Sequence, residues 1–237
     1  MILAIKLLTF DLDHTLWDPT PALIAAEQAM HQWIAENSPA TARFYPPEAI
    51  REYRNQLAEA YPEFRDKLSE LRFETLRRVF MQSGHHRDQA HSMATQAFDA
   101  FYQVRSRLTL FSGVDEVMQQ LKQQYHIAAV TNGNADLTLA GFDHYFDGHF
   151  NADNHGAAKP APDMFLAALA QADATPAETL HIGDHPEQDI AAAAALGIQT
   201  IWYNEKEAEW PLSNTQPTAT FSHWSQLVPL VQALANN

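Results

Sequence analysis

Asp11 and Asp13 stand two residues apart, directly behind the apolar run of residues 5–10. Two carboxyl groups so placed can divide two tasks: one attacks an electrophilic centre as an ionised nucleophile, while the other delivers a proton to a leaving oxygen. A lone Asp after a strand also serves as turn former or helix cap, so the pair needs company before it means chemistry. Three further places offer it. Thr131-Asn132-Gly133-Asn134 follows the apolar run 127–130 and combines a hydroxyl with a glycine turn whose N–H groups suit a phosphate oxygen, although Asn-Gly after a strand is ordinarily only a turn. Lys159 precedes Pro160 and Pro162, which restrict the backbone around a charge that could meet a phosphate or remain solvated. Asp184 and Asp189, in Gly183-Asp184-His185-Pro186-Glu187-Gln188-Asp189, are hard oxygen donors of the kind that bind Mg2+, and Asp189 is equally placed to cap a helix.

Each of these places needs a strand to present it. Residues 5–10, 127–130, 180–182 and 198–202 are short runs rich in Ile, Val or Leu, without the alternation of a half-exposed strand. Such runs separated by helical pattern predict an α/β fold, a Rossmann-like doubly wound parallel sheet. Between the first two runs the texture changes. Residues 21–36, 47–82 and 89–107 read as long helices, so a helical domain of roughly ninety residues is expected between the first and second strands. The predicted boundaries are 1–16 and 111–237 for the sheet core and 17–110 for the helical insertion. Ser112 is expected to cap a helix running to about residue 124, with Asp115 and Glu116 in its positive first turn. Residues 204–218 read as loop, 224–234 as a closing helix, and 191–195 as an alanine face for close packing, stopped by Gly197.

In an open parallel sheet, ligands collect beyond the carboxyl ends of the strands, so the four places are expected to converge on one crevice. Charge supports the same picture. With 15 Lys and Arg against 29 Asp and Glu, the net charge is −14, a field that opposes nucleic acid and anionic membrane surfaces as partners. A small phosphorylated metabolite could bind only where a divalent cation and a lysine invert the local sign. There is no cysteine, which excludes a thiolate nucleophile and a disulfide framework. The first residues lack signal-peptide character and no long apolar run follows, so a cytoplasmic protein is expected. The sequence does not address oligomeric state. The twelve histidines show no zinc-protease pattern; His144, His149 and His155 fall in a predicted loop, and His14 and His185 flank the acidic clusters.

Asp11-Leu12-Asp13-His14-Thr15, Thr131-Asn132-Gly133, Lys159-Pro160 and Gly183-Asp184 through Asp189 together resemble the four motifs of the haloacid dehalogenase-like hydrolases, the first of which is Asp-x-Asp-x-Thr. The resemblance spans the chain, and the helical insertion is similar to the helical cap domain of one branch of that superfamily. It implies a Mg2+-dependent phosphatase. Asp11 would form an aspartyl-phosphate, and Asp13 would act as acid and then base. Thr131, Asn132 and Lys159 would bind the phosphoryl group. Asp11, Asp184 and the backbone carbonyl of Asp13 would hold the metal, with Asp189 supporting. The overall sequence is also similar to bacterial phosphatases of the riboflavin pathway, acting on flavin mononucleotide and 5-amino-6-(5-phosphoribitylamino)uracil. Aromatic residues of the insertion mostly pack inward at helical spacing, and Trp17, beside the first motif, is the ring expected to meet a flat substrate. A phosphomutase would keep every motif. A 2-haloacid dehalogenase would need neither metal nor an acid at Asp13, and a non-catalytic binding module would have no use for Asp13.

Overall fold

A computed structural model describes residues 4–236. Six strands, β1 (Leu7–Phe10), β2 (His126–Thr131), β3 (Gly148–Asn151), β4 (Thr179–Gly183), β5 (Gln199–Tyr203) and β6 (Ala219–Phe221), form one sheet in the order β3-β2-β1-β4-β5-β6. Every pairing is parallel. β1 and β4 are buried along their whole length, which is why their sequences run apolar without alternation. One face is covered by the helix Asp163–Gln171 and the short helix Ala192–Ala195, through Met164, Phe165, Ala168 and Ala193 packed on Leu7, Ala128 and Val130. Fully burying one such side chain as large as Phe165 contributes about 1.5–3 kcal/mol. The helix Val114–Lys122 buries Val114, Val117, Met118 and Leu121, and Phe10 stacks on Trp224 at 6.4 Å. Strand order reverses at β1, whose neighbours are β2 and β4, so the carboxyl ends of these three strands open at the switch point of the sheet.

Two strands escape the sequence reading. β3 carries only Phe150 as a large apolar residue, and it contains His149, which was expected in a loop. β6 has three residues and one buried side chain. At the two ends of the sheet, strands are too short or too polar to leave an apolar run. The expected cap Ser112 is also displaced. Gly113, at φ 85°, occupies the N-cap without a side-chain hydrogen bond, while Asp115 and Glu116 lie in the first turn.

The chain divides into two compact units. Residues 1–18, 109–133 and 141–237 make the sheet unit, and residues 19–108 with 134–140 make a helical unit. Trp17 belongs to the former through bridges to Asp13 and Leu110. Residues 134–140, expected with the sheet, group with the helices, where Asn134 donates to Ser69 at 3.2 Å and the Asp136 N–H to Ser106 at 3.1 Å. The helical unit comprises α1 (Thr20–Asn37), α2 (Pro39–Phe44), α3 (Pro47–Ala60), α4 (Leu68–Gln82) and α5 (Arg87–Arg105). The single helix expected over 47–82 is broken. Pro62 supplies no N–H and drives Tyr61 out of the helical region, to φ −130° and ψ 86°. Met30, Ile34, Leu76, Val79, Phe80, Ala94 and Phe101 form the helical core, with Trp33, Tyr45, Tyr53 and Phe73 partly buried against it, whereas Phe44 is 64% exposed.

Arg72 lies over Phe101 at 3.7 Å and donates to Glu27 at 2.6 Å, and Arg54 donates to the same oxygen at 3.1 Å. Burial alone would raise the Glu27 pKa, but the two guanidinium groups hold it below its ordinary value. The stabilising contribution is therefore complete above the ordinary glutamate pKa and is lost as pH falls through the depressed folded value. Glu27→Gln is expected to cost about 1–2 kcal/mol at neutral pH, less than for a fully buried pair because Glu27 meets solvent. Urea unfolding at pH 7 and again near pH 3 checks this, since the difference between the two proteins should shrink as the pH falls toward the depressed folded value.

Candidate active site

The site is built entirely within the sheet unit. Asp11 leaves the end of β1 with its N–H donated to Ile182 of β4 at 2.9 Å. Its Oδ1 accepts from Lys159 Nζ at 2.6 Å, and its Oδ2 lies 3.2 Å from the Thr15 hydroxyl, which is also 3.1 Å from Asp184 Oδ1. Thr15 has one hydroxyl proton for these two acceptors, so it draws the two carboxylates toward a shared point. Lys159, 3% exposed, also donates to Val130 O at 2.8 Å and to Asp189 Oδ1 at 2.5 Å. All three ammonium N–H groups are thus engaged by the protein. The expected contact of Lys159 with a phosphoryl group consequently requires exchange of one of these bonds.

Asp189 is the best-supported anion of the cluster. Besides Lys159 it accepts from the His185 N–H at 2.9 Å, and His181 Nε2 lies 3.4 Å from its Oδ1. His181 Nδ1 is 2.9 Å from the Thr9 hydroxyl, and burial holds the imidazole pKa below its ordinary value. A neutral ring with its proton on Nε2 satisfies both partners: Thr9 donates to Nδ1 and Nε2–H donates to Asp189. This histidine was missed by the sequence reading, because a lone histidine inside an apolar run carries no motif.

Asn132 also differs from expectation. Its Oδ1 accepts the Lys159 N–H at 2.7 Å, and its Nδ2 faces Lys159 O at 3.0 Å and Gln188 Oε1 at 3.1 Å. The side chain expected to bind phosphate is engaged in holding the Lys159 loop. Thr131 accepts the Gly133 N–H at 3.0 Å and keeps its own hydroxyl proton to give. Two glycines are required by close approach. A Cβ on Gly133 would lie 2.5 Å from Asp13 Oδ2, and one on Gly183 would collide with the Asp189 carboxylate.

Trp17 is the clearest correction. Expected to offer its ring to a substrate, it is 0% exposed, stacked on Phe142 at 5.7 Å, and donates Nε1–H to Asp13 Oδ1 at 2.7 Å. No face of the indole is open to a ligand.

Charge decides what the cluster can hold. Asp11, Asp184 and Asp189 each place one oxygen within 4.8 Å of the others, and one ammonium stands among them. Lys159 remains charged although burial opposes it, because Asp11 and Asp189 raise its pKa. Asp189 is ionised: burial opposes this, but Lys159 and His181 outweigh it. The excess negative charge falls on the other two. Burial, with repulsion from Asp189, raises the Asp184 pKa, and burial, with Asp189 and Asp184 outweighing Lys159, pushes Asp11 up to about 8. One ammonium cannot keep three carboxylates ionised in this space. A hard divalent cation fits both the donor chemistry and the missing charge.

Residues 5–197 match the haloacid dehalogenase-like hydrolase family. The chain is 30% identical over 205 residues to the 5-amino-6-(5-phospho-D-ribitylamino)uracil phosphatase YigB of Escherichia coli K12, covering 86% of each chain. It is similar in structure to a protein described as a 2-haloacid dehalogenase from Pseudomonas syringae pv. Tomato DC3000, with a TM-score of 0.91, 36% identity and 97% and 98% of the two chains covered. The magnesium-bound putative HAD-hydrolase YfnB of Bacillus subtilis shares the fold at a TM-score of 0.63 and 20% identity, covering 97% of this chain and 99% of that one. The chain belongs to the haloacid dehalogenase-like hydrolases. Relatives within that family are named as phosphatases of small phosphorylated metabolites, among them phosphoserine and phosphoglycolate phosphatases.

Gly133→Ala tests the crowding at Asp13. If Asp13 serves as an acid–base group, kcat is expected to fall by about 10²-fold, the scale of displacing such a group, with little change in Tm. Steady-state turnover and a thermal melt on the same preparation check both halves.

Proposed function

We propose that the protein is a Mg2+-dependent phosphomonoester hydrolase that works through an aspartyl-phosphate on Asp11. The observation that carries this reading is the placement of two carboxyl groups with opposite assignments: Asp11 against an ammonium, and Asp13 against a neutral N–H donor. Asp11 attacks phosphorus in line as the bond to the leaving oxygen breaks, and Asp13 gives that oxygen a proton. Asp13, now a carboxylate, takes a proton from the water that cleaves the acyl phosphate and so returns to its starting state. Lys159 exchanges a bond to Asp11 or Val130 for a phosphoryl oxygen, and the Thr131 hydroxyl donates to another.

Asp11, Asp184 and the backbone carbonyl of Asp13 would hold Mg2+, and Asp189 would support the site through Lys159. When bound, the ion supplies positive charge that keeps Asp11 ionised and offsets the incoming phosphate. Flavin mononucleotide and 5-amino-6-(5-phosphoribitylamino)uracil are the first substrates to test, because the overall sequence is similar to riboflavin-pathway phosphatases and aligns with the Escherichia coli enzyme named above. With Trp17 buried, specificity for a flat ring would rest on other residues.

The description attached to the Pseudomonas syringae structure makes dehalogenation the second reading. Halide displacement has no leaving oxygen to protonate and no dianion to neutralise, so Asp13 and the surplus carboxylates favour phosphate. A mutase would differ only in the acceptor of the phosphoryl group.

Phosphate release is expected from a panel of phosphometabolites, lost on chelation and restored by Mg2+, with no halide released from 2-chloropropionate. Halide release that survives chelation would reverse the assignment. Asp11→Asn is expected to abolish phosphate release with the fold retained. Asp13→Ala should lower kcat by about 10²–10⁴-fold, and stopped-flow trapping of the phosphorylated enzyme would locate the loss in each half-reaction.

A further inference from the structure

We infer that Trp17 is a positioning residue that fixes the orientation of the Asp13 carboxyl group, holding Oδ1 and turning Oδ2 toward the turn of Thr131 and Gly133. The inference rests on the acid–base role proposed for Asp13. An indole N–H can donate but cannot accept. With Trp17 Nε1–H directed at Asp13 Oδ1 at 2.7 Å, Oδ1 is held as an acceptor. A carbonyl oxygen accepts more strongly than a hydroxyl oxygen, so this bond favours Oδ2 as the oxygen that gives a proton away. That oxygen lies over Gly133, in the turn that also carries Thr131, so the proton faces the side where the phosphoryl group is to be handled.

The donor itself is held firmly. Trp17 is completely buried, its ring stacks on Phe142, and Phe142 in turn stacks on Tyr145 at 6.4 Å. Its backbone is fixed as well: Trp17 O accepts the His14 N–H at 2.7 Å, closing a turn in which His14 adopts φ 64°, and Trp17 bridges to Leu110. A neutral donor suits the task. An indole orients the carboxyl group without adding the charge that a lysine or arginine in its place would bring. When the bond from phosphorus to the leaving oxygen breaks, its electron pair stays on that oxygen. The oxygen takes the proton from Oδ2, and Asp13 is left as a carboxylate still bonded to Trp17.

Leaving-group chemistry separates this role from simple packing. An alkyl phosphate needs its leaving oxygen protonated, while p-nitrophenyl phosphate releases a stable phenolate and does not. Trp17→Phe keeps the stack on Phe142 and removes the N–H. It is expected to lower kcat/KM for an alkyl phosphomonoester, flavin mononucleotide or the best alkyl substrate of the panel, by about ten-fold or more, and that for p-nitrophenyl phosphate by less than about three-fold. Should Trp17→Phe fold poorly, 3-benzothienylalanine at position 17 replaces the N–H by sulfur with the ring outline unchanged, and the same ratio is read. Phe142→Leu loosens the packing and keeps the N–H, so the ratio between the two substrates should move clearly less than in Trp17→Phe. Equal losses on both substrates, or a ratio that shifts as much in Phe142→Leu as in Trp17→Phe, would overturn the inference. Asp13→Asn in the same assays keeps the two levels apart. If it spares the alkyl substrate, the acid–base role of Asp13 fails. If it abolishes alkyl turnover while the Trp17 variants match the wild type, only the positioning role fails.

Discussion

A single buried ammonium carries the site. Lys159 reaches from its loop to carboxylates on two other segments and to a main-chain carbonyl at the end of β2. Its charge makes Asp189 tolerable as a buried anion, and its insufficiency leaves Asp11 and Asp184 in need of a second positive charge. A cluster with three carboxylates and one ammonium carries an excess of negative charge that a divalent cation would offset. In the proposed mechanism the arrangement ties metal, substrate and nucleophile into one electrostatic problem, and the net charge of −14 makes its local solution more pressing.

The rest of the sheet end exists to keep that ammonium and its partners within hydrogen-bond reach. Asn132 clamps the Lys159 backbone from the end of β2, and the same carboxamide reaches Gln188. The chain Thr9, His181, Asp189 runs behind the site and orients the carboxylate that Lys159 needs most. Gly133 and Gly183 are small because a carboxylate occupies the space of the Cβ that any other residue would bring. Such second contacts hold reacting groups in place, and their loss is felt at the chemistry without any direct touch on a substrate.

Asp11 and Asp13 show how environment separates two chemically identical side chains. One meets an ammonium at 2.6 Å and the other an indole N–H at 2.7 Å, both through Oδ1. A charged partner favours the anion, while a neutral donor orients the carboxyl group without adding charge. The burial of Trp17 that disqualifies it as a platform for a flat ligand is the same burial that makes it a reliable donor.

Much of this was legible in the amino-acid order alone. Apolar runs without alternation disclosed the buried strands β1, β2, β4 and β5, because a strand covered on both faces has no reason to alternate. The acidic pairs, the lysine ahead of two prolines and the helical insertion followed from residue type and spacing. Edge strands β3 and β6 left no such trace, since their burial is too slight to demand an apolar run, and the break at Pro62 yielded to helix propensity on either side. What the tertiary structure decided was pairing. Spacing along the chain cannot say that Asn132 would face the Lys159 backbone, that His181 would stand behind Asp189, or that Trp17 would turn its N–H to Asp13 and hide its ring. Those outcomes depend on which side chains from distant segments compete for the same few cubic ångströms, and only the folded chain brings them together to compete.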